Sequence, residues 1–358
     1  MSSISSDNKF YSWLDDRVGV SGFIKAAEKK EVPVHKQSMW YYMGGIAMVL
    51  LAIQGLTGIL LMVYYVPEIS SAHSSVLFIN TQIEFGWFVR SLHSWAANIL
   101  IFILFVHMFS AYFMKAYRKP REITWFSGMA LLGICFAFGF TGYLLPWDEI
   151  AFFATKIGLD IAGKTPFIGG VIADLLRGGS EIGQGTISRF FLIHVILLPI
   201  ALFAVAGLHL LLVQLHGMSE PESFKKAKKK KYEKFFPDFL GKDFMVWLFF
   251  FNLVAGIVAL FPWGLGPEAD PFAPAPAGIK PEWYFLAMFQ FLKLLPPHIG
   301  PFEGEILGIA FFGVLALVLF VAPFIDTGKS KAVSKFFDIY GILFTIGFVG
   351  FTVWGMLD

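Results

Sequence analysis

The chain is poor in cysteine and in charge. Its 358 residues include one cysteine, Cys135, inside an apolar run. A single thiol excludes a disulfide framework, a Cys-x-x-Cys-His haem attachment, a zinc site and an iron–sulfur cluster within this chain. Asp, Glu, Lys and Arg make up 15% of the residues and sum to a formal +2, which by itself is uninformative; their distribution is not, and no nucleic-acid partner is expected. The N-terminus, MSSISSDNKFYSWLDDRVG, has no apolar stretch or small-residue cleavage site of a signal peptide, and the first apolar run is expected to direct export instead.

What the chain has in excess is apolar surface. Hydrophobic residues are 56% and aromatics 18%, more than a soluble core can bury, which implies an all-α integral membrane protein in a lipid bilayer. Runs long enough to cross a ~30 Å hydrocarbon core lie at about 40–65, 86–114, 124–146, 189–215, 244–263, 304–324 and 338–357. These seven transmembrane helices divide the chain into an interfacial segment 1–39, a four-helix bundle 40–216, a lysine-rich linker 217–243 and three C-terminal helices in 244–358.

Lysine and arginine alternate by loop. The N-terminal segment holds six, the 115–121 loop four, the 217–243 loop eight and the 325–337 loop three; the intervening loops hold zero, three and two. The positive-inside pattern places the N-terminus in the cytoplasm and the C-terminus outside. The lysine run at 225–231 then reads as a solvated cytoplasmic loop, or as a docking site for a partner or anionic lipid.

Ionisable residues inside spans are costly and so point to function. The second span carries His93 and His107, fourteen positions apart, and the fourth carries His194 and His209, fifteen apart. Fourteen residues make close to four helical turns, so His93 and His107 share a face about 21 Å apart. A lone histidine of this kind often just bonds a neighbouring helix. Four at matched depths suit two b-type haems, each held between helices by one imidazole from either side. Both spans run from outside to inside, which pairs His93 with His194 near the outer face and His107 with His209 near the inner one. Gly44 and Gly58 in the first span, and Gly128 and Gly142 in the third, repeat the interval of fourteen. They would clear room for the edges of a flat macrocycle, although glycine also serves plain helix contact.

The pattern Arg90-Ser-Leu-His93 with His107, then Gly142-Tyr-Leu-Leu-Pro146-Trp147-Asp148, Arg189-Phe-Phe-Leu-Ile-His194 and Pro281-Glu282-Trp283-Tyr284, resembles cytochrome b of the quinol-oxidising bc-type complexes. The fifteen-residue step, the Lys119-Pro-Arg-Glu loop, Leu-Leu-Arg177-Gly, Gly183-Gln184-Gly, Asp270-Pro-Phe and three spans after the fourth look most like the cytochrome bf type. In that type the two parts are usually separate chains, whereas here they are fused. The resemblance implies that Glu282 accepts a quinol proton at the outer face, where Tyr143, Tyr284 and Phe285 would line the site. It also implies that Arg90 and Arg189 pair with haem propionates, which a guanidinium can bind bidentately.

On the inner side the sequence departs from the resemblance. The bf type binds a third haem covalently through a cysteine where this chain has Tyr42, and it has an arginine where this chain has Gln214, so no covalent third haem is expected. Another family arginine is replaced by Ser110, leaving Lys115, Arg118 or Trp125 as inner-haem anchors. His216, His35, Lys36 and Glu31 could line a quinone-reduction site.

The function so implied is bifurcated quinol oxidation. One electron leaves for a Rieske iron–sulfur protein and on to a c-type cytochrome or equivalent acceptor. The other crosses by way of the two haems to a quinone at the inner face, with proton translocation. A homodimeric complex in a bacterial inner membrane is the matching expectation. Two alternatives remain: a dihaem anchor for a quinone-linked dehydrogenase or reductase, which has no need of the Glu282 motif or the last three spans, and a haem-free transporter with structural histidines.

Overall fold

The computed structural model describes residues 9–358; residues 1–8 of the N-terminal segment lie outside the described residues. Among the described residues, seven helices are long and apolar enough to span a membrane: Ser38–Met62, Gly86–Phe113, Glu122–Leu144, Gln184–His216, Phe235–Leu260, Gly304–Ile325 and Lys331–Leu357. Most ends fall within a few residues of the apolar runs. The seventh starts earlier because Ser330 caps it, its hydroxyl accepting from the Val333 amide, and its first turns carry Lys331, Lys335 and Asp338. Hydropathy alone trims such charged turns away. The fifth starts with a kink, Phe236 standing at φ −116° and ψ 131°, and becomes regular at Leu240.

The first span lies along the second and the third along the fourth, and the second also meets the third. The fifth span crosses the first and second, the sixth packs on the third, and the seventh packs on the second. Their buried residues follow the same arrangement. Val254 and Val258 join Ile46, Leu50, Ala96 and Leu100 in one core. Leu319, Ala322 and Phe337 join Tyr112, Tyr117 and Trp125 in another. The C-terminal spans therefore bury apolar area chiefly against the first three, where the hydrophobic gain of excluding lipid is replaced by close packing.

One end of the bundle is basic. There the strand Glu31–Pro33 pairs antiparallel with Tyr232–Lys234, tying the N-terminal segment to the lysine-rich linker. Asp326, wholly buried, accepts hydrogen bonds there from Tyr117 (2.5 Å), Arg118 (2.7 Å) and Ser334 (2.7 Å), with Lys115 at 3.5 Å. Burial opposes its charge, yet the Tyr117, Ser334 and Arg118 donors hold its pKa down to about 2. At the opposite end four short helices, Ala72–Gln82, Glu149–Gly163, Gly169–Arg177 and Leu286–Leu294, cap the bundle.

The fourth span is interrupted. Pro199 has no N–H and its ring crowds the preceding turn, and the helix widens into a π segment at Ile193–Leu197, where the Leu198 amide reaches back to the Ile193 carbonyl. This bulge holds one residue more than an α-turn and includes His194. Fifteen residues thereby cover the helical phase that fourteen cover in the second span.

Candidate functional site

His93 and His194 meet in the bundle interior. The His93 and His194 rings lie with centroids 6.4 Å apart at an interplanar angle of 65°. Two imidazole nitrogens sharing one metal at ~2 Å each produce a centroid spacing of about this size. His107 and His209 lie toward the basic end, against Gly44 of the first span and Gly128 of the third.

Each of the four interval glycines lies against one imidazole. A Cβ on Gly58 would stand 3.4 Å from Cε1 of His93, on Gly142 2.6 Å from His194, on Gly128 3.3 Å from His209 and on Gly44 3.6 Å from His107. The room these glycines clear is first of all room for the ring itself.

Hydroxyls one residue before three of those glycines settle the ring protonation. Thr57 donates to the Ile53 carbonyl (2.6 Å), Thr141 to Ala137 (2.7 Å) and Ser127 to Thr124 (2.9 Å). Each hydroxyl has one proton, and it is already spent. The same oxygens lie 2.9 Å from Nδ1 of His93, 3.1 Å from Nδ1 of His194 and 2.9 Å from Nδ1 of His209, so they accept there. Nδ1 must carry the proton, and Nε2 is left with its lone pair, the form that ligates iron. Sequence reasoning missed these three residues, although the Ser/Thr-Gly dipeptides at 57–58, 127–128 and 141–142 carry the signal. Before Gly44 stands Met43, and Nδ1 of the buried His107 has no partner.

The two arginines near His93 and His194 are used differently. Arg90 donates to the carbonyls of Trp263 and Gly264, both at 3.0 Å, and so fastens the end of the fifth span. Arg189 keeps a buried Nη1 without a partner. It is pressed against Gly178, which has φ 74°, and where a Cβ would stand 1.3 Å from that nitrogen, so only glycine fits. An unpaired buried guanidinium nitrogen one turn and a half from His194 suits an anionic group such as a propionate.

Glu282 sits half-buried before the short turn Trp283–Phe285. Trp283 Nε1 donates to Asn98 of the second span (2.9 Å), and Tyr284 stacks on Phe136 of the third (centroids 5.8 Å, 11°) with its hydroxyl against Gly139. The loop is thus held on two spans at once. Across from it, Asp148 caps the helix Glu149–Gly163 through the Ala151 amide (2.9 Å), and backbone bonds join residues 147–149 to 267–269. Burial lifts the Glu282 carboxyl above the usual carboxylate range, against a hydrogen bond from the Trp283 amide. Burial, then the charges of Glu282 and Tyr143, keeps the Tyr284 phenol protonated far above its ordinary range. The site combines a carboxylate that can take a proton with a phenol that keeps its own and can donate a hydrogen bond.

Comparison with known proteins agrees with this geometry. Residues 28–217 match the family described as "Cytochrome b/b6/petB", and residues 268–358 match "Cytochrom_B_C: Cytochrome b(C-terminal)/b6/petD". The chain belongs to the cytochrome b family. It is 47% identical over 335 residues, 92% of this chain and 77% of the other, to a cytochrome bc complex cytochrome b subunit from Chlorobaculum thiosulfatiphilum. A menaquinol:cytochrome c reductase cytochrome b subunit of Bacillus subtilis is 40% identical over 60% of this chain and 99% of its own length. Cytochrome b6 of Synechococcus sp. (strain JA-3-3Ab) is 37% identical with the same coverage. In this chain the two parts are fused. A solved structure described as a hyperthermophilic respiratory Complex III superposes with a TM-score of 0.85 at 28% identity, covering 97% of this chain and 91% of that one.

In this cytochrome b the residues singled out at the basic end are already engaged. Lys115 and Arg118 bind Asp326, Lys115 also reaches Asp338 at 2.6 Å, and Trp125 Nε1 donates to the Leu319 carbonyl at 3.0 Å. Lys115 and Arg118 join the 115–121 loop, and Trp125 joins the third span, to the sixth and seventh spans, which corrects their expected use as haem anchors: their polar atoms already have partners there. His35 Nε2 lies 2.7 Å from the Tyr41 hydroxyl, which in turn bonds the Ser219 carbonyl, and Glu31, itself exposed, sits opposite Lys234 in the two-stranded ladder. Nδ1 of His216 is buried without a partner. Tyr42 stacks on Phe239 (4.9 Å, 8°).

Proposed function

We propose that the chain is the membrane electron-transfer subunit of a Rieske/cytochrome b complex that oxidises quinol by bifurcation at one face and reduces quinone at the other. Two non-covalent b-type haems fit the site, one on His93 and His194 and one on His107 and His209. When bound they would supply a one-electron relay along the membrane normal. The observation that carries the reading is the hydroxyl-fixed tautomer at three of the four histidines: a merely structural histidine has no need of a bare, inward-facing Nε2.

Around that relay the chain's own residues do the proton chemistry. Glu282 takes a proton from the quinol hydroxyl, and burial, which raises its pKa, makes it a better proton acceptor than an exposed carboxylate. Tyr284 and Tyr143 orient the quinol, and Arg189, whose buried Nη1 has no partner, would pair with a propionate of the nearer haem. The basic end faces the cytoplasm by the positive-inside pattern, with the C-terminus outside, in a bacterial inner membrane. A charge carried between the two faces works against the membrane potential at ~2.3 kcal/mol per 100 mV. The partners are a Rieske iron–sulfur protein, a c-type cytochrome or equivalent acceptor, and a second copy of the complex. Tyr42 offers no thiol, so no third haem is held covalently.

The test is a redox-poised visible spectrum of the purified complex with a pyridine haemochrome assay on this subunit. Two b-type haems at separate potentials, both lost on denaturation, are the expected result. A preparation without haem would refute the electron-transfer reading and favour a transporter. A covalently retained haem would refute the Tyr42 argument.

A further inference from the structure

The four histidines are not equivalent. Three have Nδ1 bonded to a hydroxyl on the neighbouring span, and His107 has none, because Met43 stands where Thr57, Ser127 and Thr141 stand elsewhere. The ring itself reflects this. At Gly58, Gly128 and Gly142 the ring atoms nearest the glycine are Cε1 and then Nδ1, whereas at Gly44 they are Cε1 and then Nε2, at 3.6 and 4.0 Å. No hydrogen bond sets the rotation of the His107 ring.

An Nδ1–H that donates to a fixed oxygen pushes electron density into the ring and makes Nε2 a stronger base, which favours the ferric state of an iron bound there. The His93/His194 pair has two such bonds and the His107/His209 pair has one. We infer that Met43 is a potential-setting residue: by withholding a hydroxyl from His107 it holds the reduction potential of the basic-end haem site higher than a hydroxyl at that position would. The inference rests on the histidine ligation proposed above. Met43 acts through His107 and is a positioning residue.

The experiment compares Met43→Thr with Met43→Val in the purified complex, following each haem by redox titration of its visible band and by electron paramagnetic resonance. Threonine and valine have nearly one shape and differ in the hydroxyl. Met43→Thr should lower the potential of one haem only, shifting its one-electron equilibrium several-fold, where tenfold corresponds to about 59 mV. Met43→Val should leave that potential unmoved. Ser127→Ala provides an independent check, since it removes the remaining hydroxyl from the same haem site and should raise the same potential, while Thr57→Val should raise the other. Two normal b-type spectra with equal potentials in the Thr and Val variants would overturn the inference, as would a Ser127→Ala potential equal to that of the parent. Absence of two b-type haems in the parent complex would refute the ligation instead, so the two failures are distinguishable.

Discussion

Replacing each interval glycine by alanine should produce a graded series whose order comes from four distances. A Cβ at Gly142 would lie 2.6 Å from Cε1 of His194, 3.1 Å from Nδ1 and 3.3 Å from Nε2, so the ring must move, and Thr141 beside it moves with it. Overpacking of a closed interior costs about 1–3 kcal/mol. Because that cost falls on the ligand, affinity for the haem at that end should drop roughly 5- to 150-fold, at ~1.4 kcal/mol per tenfold. At Gly44 the new methyl would stand 3.6 Å from His107, ordinary contact, and alanine gains about 0.5–1 kcal/mol of helix stability over glycine. Gly44→Ala should therefore leave both haems in place and leave the protein as stable or slightly more so. Gly128→Ala (3.3 Å) and Gly58→Ala (3.4 Å) should fall between. Haemochrome content and redox-resolved spectra of the four variants report which haem is lost. Equal retention in Gly142→Ala and Gly44→Ala would refute the argument that these glycines make room for the imidazoles.

Glu282→Gln should lower quinol oxidation by ~10²-fold or more with haem content unchanged. In the parent, activity should rise with pH through the carboxyl's raised pKa, because the ionised form is the proton acceptor; that acid limb should lie above the usual range near ~4.3 and vanish in the variant, as a pH–rate profile would show. Arg189→Gln should weaken retention of the haem on His93 and His194 by about 1.5–3 kcal/mol, measured as loss on dilution into detergent, and spare the other. Asp326→Asn should destabilise the fold by about 3–5 kcal/mol, since Arg118 and Lys115 lose a wholly buried partner, and thermal denaturation would register it. The Asp326 pKa is depressed, so its contribution is complete above pH ~4 and should be lost as pH falls toward pH ~2, about 2.4 kcal/mol in all.

Much of this molecule is legible before folding because the bilayer limits what a chain can do. Apolar runs must be helices, basic loops must alternate, and an imidazole at matched depth in two parallel spans has few other uses, so the His93/His194 and His107/His209 pairs follow from position alone. The Glu282 motif and the fused C-terminal spans follow from resemblance. Misreadings cluster where side chains have several partners to choose from. Lys115, Arg118 and Trp125 lie near the basic end in sequence as plausible haem anchors, but Asp326, some two hundred residues away, claims the first two and the Leu319 carbonyl claims the third.

The sequence by itself determined the seven spans and the four histidines within them, with their depths, since these depend on burial cost and on a period that can be counted along the chain. Only the tertiary structure decided ring orientation and phase. The fifteen-residue interval in the fourth span works because a π segment ahead of Pro199 absorbs one residue. The lone pair of Nε2 is bare because hydroxyls on another helix take up Nδ1. A hydrogen bond between spans has no period to count: it exists once two helices have packed, and Met43 shows what happens where the oxygen is missing.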